Sequence, residues 1–425
     1  MVHIKAFEAL RPPAPFAPRV ASPPYDIVST EEAATLAADN PLSFLRVIRP
    51  EIDLPAGTDP YSEIVYETAR AGLDRLISED ALVRDAAPAI YLYRQAWNGR
   101  TQTGIVCCCH VSDYRTDVIR KHEKTRKDKE DDRTRHVLTL DANTGPIFLT
   151  YRGHDIVAAR VLDDTSHRPL YHFVSPDDVT HTVWQVPDPD AYARLFDQIS
   201  TVYIADGHHR TASAARAAET LASANPNHTG NEEYNWFLSV LFPANELTIL
   251  PYNRLVSDLN GLSEDDFLDA LRTQGELVQT DQPQSDRPCT FGIYVGGTWW
   301  SLAIDERTVD WSDHVESLDV SLLQNRILTP ILDVGDPRTD PRIGFVGGIR
   351  GAKELASRVD SGAAAAAFAL HATTIDQLLA VSDAGECMPP KSTWFEPKLR
   401  SGLFVHMLDS AHASTPEICN PQESS

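Results

Sequence analysis

Short runs of apolar and β-branched residues alternate along this chain with stretches in which apolar positions recur every three or four residues, a pattern that predicts a mixed α/β protein. Thr201-Val-Tyr-Ile-Ala reads as a buried strand that stops at Asp206-Gly207 and turns at once into an alanine-rich helix reaching Ala224. Ile64, Ala69, Leu73, Leu76 and Ile77 recur at helical spacing over 61–78. Ser29 and Glu32 have the spacing of a capping box at the head of a helix running to about Ala38, and Ser43 to Ile48 reads as a strand. The runs 89–95 and 101–109 flank Asn98-Gly99 and predict a hairpin. Further strands are expected at 147–151, 172–174, 181–186 and 236–242, with helices over 189–200 and 262–277. In the last third, 290–294 and 298–304 form a second hairpin across Gly296-Gly297, followed by a helix at 317–328, strands at 343–348 and 363–371, and a helix at 375–381. Residues 388–398 read as an irregular loop suited to a lid over a ligand, and the tail from Ser410 as disordered.

Composition narrows the class. A chain of 425 residues can bury a substantial core and is long enough for two or three domains. No apolar run approaches the roughly 18 residues of a membrane span, and the first residues lack the features of a signal peptide, so a cytoplasmic protein with no membrane partner is expected. Cys107, Cys108 and Cys109 are consecutive and the other three cysteines scattered, which is neither a disulfide framework nor a metal-binding pair. The formal net charge of -23 excludes general nucleic-acid binding, because phosphate backbones would be repelled by most of the surface. Four of the eight lysines nevertheless lie together at Lys121, Lys124, Lys127 and Lys129, a local basic segment that would focus an anionic ligand.

The chemistry gathers at the strand-to-helix junction. Gly207, His208, His209, Arg210 and Thr211 sit where unpaired helix N–H groups point outward, a place to hold an anion. Asp206 beside them has the chemistry to hold a metal or take a proton, and the histidines and Arg210 to bind phosphate. The plainer alternative is a helix capped by Asp206 with two surface histidines. The basic segment, which includes His122, Glu123, Lys127 and Arg133, has its own plain alternative: a solvated helix laced with ion pairs. Its neighbour, the polar turn Asp141-Ala-Asn143-Thr-Gly-Pro entering a buried strand, favours a cleft lined by cations, hydroxyls and amides. Asp26, in a loop between a proline-rich arm and a helix, is exposed enough to act. No GxxxxGK[ST] sequence occurs, nor a protein-kinase HRD or DFG set, so any phosphate grip here is of another kind.

Pro23-Pro24-Tyr25-Asp26, Asn40-Pro41, His122-Glu123, Lys129-Glu130, Asp132-Arg133, Ala142-Asn143, Ala205 to Arg210 and Met388 to Pro397 together resemble the domain of unknown function 1015 family over nearly the whole chain. The Asp-Gly-His-His-Arg element is also similar to that of ATP-dependent free serine kinases of the ParB/sulfiredoxin-like superfamily. The resemblance implies a ParB/sulfiredoxin-like nucleotide-binding core over 1–260, an additional mixed-sheet C-terminal α/β domain over 261–409, and the tail 410–425. It implies phosphoryl transfer from ATP, with Mg2+, to the hydroxyl of free L-serine, giving O-phosphoserine for cysteine or serine metabolism. By the same carry-over, Asp206, His209 and Asp26 are the candidate catalytic residues, Asp26 being preferred to Glu31 and Glu32 as proton acceptor. Gly207, His208, Arg210, Thr211, Lys127 and Arg133 are candidate phosphate contacts; His122, Glu123, Asn143 and Lys391 are candidate substrate contacts; and Asp206 is the candidate metal ligand. The expected partners are a nucleotide and free serine, with a homodimer as the candidate assembly. A ParB-like nucleotide-binding regulatory module and a metal-dependent phosphohydrolase stand as alternatives.

Overall fold

The computed structural model describes residues 1–283 and 287–409, so the tail expected from Ser410 lies outside the described residues. The chain forms two compact units. The first comprises 1–120, 125–246 and the returning segment from Pro397; the second comprises 121–124 and 247–396. The division therefore falls at Glu246 rather than at residue 260, and the C-terminal segment belongs to the first unit. The reason is strand pairing: Trp236–Pro243 lies within the first unit's sheet, whereas Tyr252–Val256 already pairs in the second.

In the first unit nine strands form one mixed sheet: β1 (Ile4–Lys5), β2 (Tyr91–Trp97), β3 (Arg100–His110), β4 (Ile119–Arg120), β5 (Ile147–Tyr151), β6 (Tyr171–Val174), β7 (Thr180–Gln185), β8 (Val202–Asp206) and β9 (Trp236–Pro243). Their order is β4-β8-β5-β9-β3-β2-β7-β6, with β1 against β3; β4–β8 and β5–β9 are parallel and the other pairs antiparallel. The β2–β3 hairpin closes with Trp97 opposite Arg100, leaving Asn98 and Gly99 at positive φ (48° and 73°), as a two-residue turn matched to the strand twist requires. Cys107, Cys108 and Cys109 lie on β3 and are all fully buried. Cys107 and Cys109 join the core that includes Leu241 and Phe237, while Cys108 points to the other face, which is covered as well.

Four helices matter for the site: α1 (Thr30–Ala37), α2 (Glu63–Ser78), α3 (Lys127–Leu140) and α4 (His208–Ala224). The capping box of α1 is complete, with Ser29 Oγ accepting from the Glu32 N–H and the Glu32 carboxylate accepting from the Ser29 N–H. On α2, Ala69, Leu73 and Leu76 are buried, while Ile64 and Ile77 of the same periodic set face solvent.

The expected strand at 43–48 is instead a helical turn, Leu45–Ile48. Ser43, Phe44, Leu45, Val47 and Ile48 are all buried, so no period is visible, and Ser43 Oγ accepts from the Leu45 N–H, which favours the turn.

The second unit holds a six-stranded sheet built from β10 (Tyr252–Val256), β11 (Glu276–Gln279), β12 (Thr290–Val295), β13 (Thr298–Ala303), β14 (Ile343–Gly347) and β15 (Ala366–Ala369), in the order β11-β13-β12-β15-β10-β14 with antiparallel neighbours. The helix expected over 262–277 is shorter, Glu264–Arg272, because Glu276–Gln279 is drawn into the sheet beside β13. The helix expected at 317–328 runs to Leu332 through a π turn at Gln324–Leu328.

Residues 388–398 are no free lid. The buried Arg254 guanidinium donates to the Lys391 and Pro390 carbonyls (3.0 and 3.2 Å), and Trp394–Glu396 pairs with Thr248–Leu250. No helix among the described residues is long and apolar enough to cross a membrane.

Candidate functional site

Asp206 is the last residue of β8, and the register against β5 shifts between Ile204 and Asp206, an irregularity of the kind that re-aims a side chain at a strand end. Gly207 follows with φ 98° and caps α4, a conformation other residues rarely adopt. A Cβ on Gly207 would lie 3.1 Å from Arg210 Nε and 3.2 Å from its Cζ, so the glycine also makes room for the guanidinium. Arg210, one turn into α4, donates from Nη1 to the Pro146 carbonyl, and its Nη2 lies 3.9 Å from Asp206 Oδ1. Its Nε is buried and, among the described residues, has no hydrogen-bond partner.

Lys398 completes the group. Its Nζ lies 2.9 Å from Asp206 Oδ2, and the side chain is only 10% exposed against 24% for Asp206. Burial by itself pushes the Asp206 carboxyl up, but Lys398 foremost, with Arg210 and His208, holds it well below the usual carboxylate range. Asp206 is therefore ionised at any ordinary pH.

Beside this cluster is a pocket lined by Tyr25, Arg133, His136, Asn143, Thr144, Gly145, Arg210 and Ser401, among others. Arg133 lies over the Tyr25 ring (4.4 Å to the centroid) and is bonded through Nε to Asp132 Oδ2 (2.8 Å). Burial raises the Tyr25 phenol above its ordinary value, and Asp26 adds to the effect. Burial and the nearby Arg133 depress His136 to about 4, so it is neutral beside the pocket. Asn143 is buried on Ala142–Asn143, which pairs with His406–Met407, and its Nδ2 is 3.4 Å from His406 Nδ1.

The structure thus gathers Asp206, Gly207, Arg210, Arg133 and Asn143, with Asp26 next to the pocket-lining Tyr25. Asp26, Glu31 and Glu32 are all exposed; Glu31 and Glu32 are bonded to Ser29 at the head of α1, and Asp26 is the one of the three that stands outside that cap. His208 is buried at the first position of α4. His209 Nε2 accepts from the Arg126 N–H (3.1 Å), so that nitrogen takes no proton in this state. Thr211 is fully buried with its hydroxyl donating to the Gly207 carbonyl (3.0 Å); it shapes the loop instead of facing a phosphate.

The basic segment separates into parts. Lys127, 85% exposed, pairs with Asp131 one turn along α3, which is the solvated-helix reading. Because α3 begins at Lys127, the spacing from Glu123 to Lys127 lies outside any helix. His122, Glu123 and Lys391 belong to the second unit, where the Met388 N–H donates to the His122 carbonyl (2.7 Å). They do not join Asp206 within the first unit.

Lys398 was missed from sequence: it stands in the same lysine-bearing stretch as Lys391, and composition does not distinguish them.

Among the described residues no group of three or more His, Cys, Asp or Glu is placed to hold a metal ion, and the Asp206 carboxylate is already flanked by an ammonium and a guanidinium. The expectation of Asp206 as a metal ligand thus rests on a single carboxylate with two cations beside it.

A family model described as a protein of unknown function matches residues 4–321. No curated protein matches. Among solved structures, a conserved hypothetical protein from Pyrococcus furiosus is similar at 11% identity, covering 72% of this chain and 95% of that one with a TM-score of 0.36. SbnI with a C-terminal truncation, from Staphylococcus aureus, shows 12% identity over 71% of this chain and 87% of that one, TM-score 0.39. A free serine kinase in complex with AMP shows 12% identity over 71% and 91%, TM-score 0.35.

Proposed function

The chain belongs to the family described as protein of unknown function (DUF1015), and within it we propose a small-molecule kinase that moves a phosphoryl group from ATP, taken up with Mg2+ as substrate, to the hydroxyl of free L-serine. The observation that carries this reading is the cluster of Asp206, Lys398 and Arg210 at the N-terminus of α4, beside a pocket with a second guanidinium, Arg133. Phosphoryl transfer needs positioned cations and helix N–H groups around the migrating phosphate and a carboxylate to accept the hydroxyl proton. Arg210 brings a buried Nε donor with no partner among the described residues. The compact pocket bearing Arg133, Asn143 and Thr144 suits the carboxylate and ammonium of an amino acid.

The reaction forms a bond from the serine oxygen to the γ-phosphorus and breaks the bond from that phosphorus to the ADP oxygen. The serine proton passes to a carboxylate. A carboxyl held as low as that of Asp206 is a poor proton acceptor, which assigns the base role to Asp26 and leaves Asp206 to order the cations around the phosphates.

The test is direct. Purified protein with Mg2+, ATP and each amino acid in turn should yield O-phosphoserine from serine; no product with ATP, ADP, CTP or pyrophosphate as donor would remove the reading. Asp206→Asn should lower kcat at least 100-fold with an unchanged circular dichroism spectrum.

A further inference from the structure

We infer that Lys398 is a positioning residue of the transfer site, acting through Asp206 and delivered by the C-terminal segment that returns to the first unit. The inference deepens the phosphoryl-transfer reading and rests on it.

Lys398 lies beyond residues 4–321, the part of the chain that matches the family model. The fold nevertheless carries it back to Asp206 with both neighbouring parts of its segment anchored. The Lys398 carbonyl accepts from Gln95 Nε2 (2.9 Å), and Gln95 is itself held by Gln102, whose Nε2 donates to Gln95 Oε1 (3.0 Å); both glutamines are buried. Two residues on, Arg400 is buried, bonds to Asp177 and reaches Ser175 Oγ (3.2 Å).

Ser401 then exchanges both main-chain hydrogen bonds with Ser22 (2.9 and 3.0 Å), four residues before Asp26, and Val405 does the same with Leu10. One short segment therefore braces the Asp206 carboxylate and the arm bearing Tyr25 and Asp26. A lysine whose only task was surface charge would need none of this support.

Among the described residues, Lys398 and Arg210 are in ion-pair reach of Asp206, and His208, two residues on, also favours its ionised form. Arg210 stands 3.9 Å away and is committed to the Pro146 carbonyl, so Lys398 supplies the close contact. Without it the half-buried carboxylate keeps its desolvation and loses its nearest cation. Its proton affinity rises, and its oxygens lose the contact that fixes their direction.

The experiment compares wild type, Lys398→Met, Lys398→Arg, Asp206→Asn and the double variant Lys398→Met/Asp206→Asn. Lys398→Met should lower kcat/KM at pH 7 by 30-fold or more and move the acidic limb of its pH profile up by at least one unit. Lys398→Arg should restore the position of that limb. In the Asp206→Asn background, adding Lys398→Met should cost less than threefold, because the partner through which Lys398 acts is already gone. An unmoved acidic limb, or full additivity of the two losses, would overturn the inference.

A second readout needs no turnover: the Asp206 carboxyl carbon followed by NMR through an acid titration should titrate at higher pH in Lys398→Met. Wild-type protein inactive with every donor while this titration still shifts would defeat the kinase reading alone and leave the Lys398–Asp206 coupling standing; an unshifted titration would defeat the coupling itself.

Discussion

Arg210 shows how much one side chain here depends on the absence of others. Its guanidinium lies in tight contact distance of where a Cβ on Gly207 would stand, anchors on the Pro146 carbonyl and keeps a buried Nε without a partner among the described residues. A buried donor left unpaired costs about 1–3 kcal/mol, a cost that an arriving phosphate oxygen would relieve. Arg210→Lys removes the fork geometry while keeping the charge, so the expected result is at least tenfold weaker binding of ATP or pyrophosphate in calorimetric titration, with the fold intact. Affinity equal to wild type would show that Arg210 contributes charge alone. The importance of Asp206 and Arg210 was legible from residue type and position at a strand-to-helix junction. The roles of Thr211 and Lys127 were not, because the same residue types serve equally well in a buried loop bond or a solvent-facing ion pair.

At the scale of elements, local chemistry predicted well wherever it is self-contained. The Asn98-Gly99 hairpin and the Ser29/Glu32 capping box involve residues within a few positions of one another, and both are present. The second gives a direct measurement: Ser29→Ala removes the acceptor for the Glu32 N–H and should lower the unfolding free energy by about 0.5–2 kcal/mol in urea denaturation. Loss of less than a few tenths would mean that water replaces the cap at no cost. Where elements are decided by neighbours far along the chain, periodicity failed. The buried run 43–48 offers no alternation to read, and the end of the helix after Arg272 is set by β13 drawing Glu276–Gln279 into a sheet. The lid expected at 388–398 fails for a similar reason, since Arg254, more than 130 positions away, ties the loop down.

Across the whole molecule, buried histidines set an acid limit on stability. Burial, reinforced by Arg133, depresses His136 to about 4, and burial with Arg400 depresses His181 to about 3. In the unfolded chain both titrate near 6.5, so between that value and 3–4 the unfolded state binds more protons and stability falls as pH falls. The carboxylates act in a lower window: Glu233, held at about 2 against burial by His406 and Lys5, contributes stability above the ordinary carboxylate range that is lost as pH drops through it. The unfolding free energy should therefore decline from pH 7 to 5, partly offset by Asp319, whose carboxyl burial pushes up to about 6 so that the folded state gains a proton there, and the decline should be shallower in His136→Gln; an equal slope in that variant would exclude His136 as a source. What the sequence determined alone is the class of the protein and the heart of its candidate site: alternation and helical spacing set the mixed α/β fold, and Asp206 to Arg210 are contiguous, so their proximity needs no tertiary information. Only the tertiary structure decided which residues join them. Lys398 lies 192 positions from Asp206, and Arg133, Asn143 and Tyr25 reach the pocket from three separate segments. Such meetings depend on which strands pair and where the chain re-enters a unit, and those choices are made by burial summed over the whole sheet, a quantity no local stretch of residues contains.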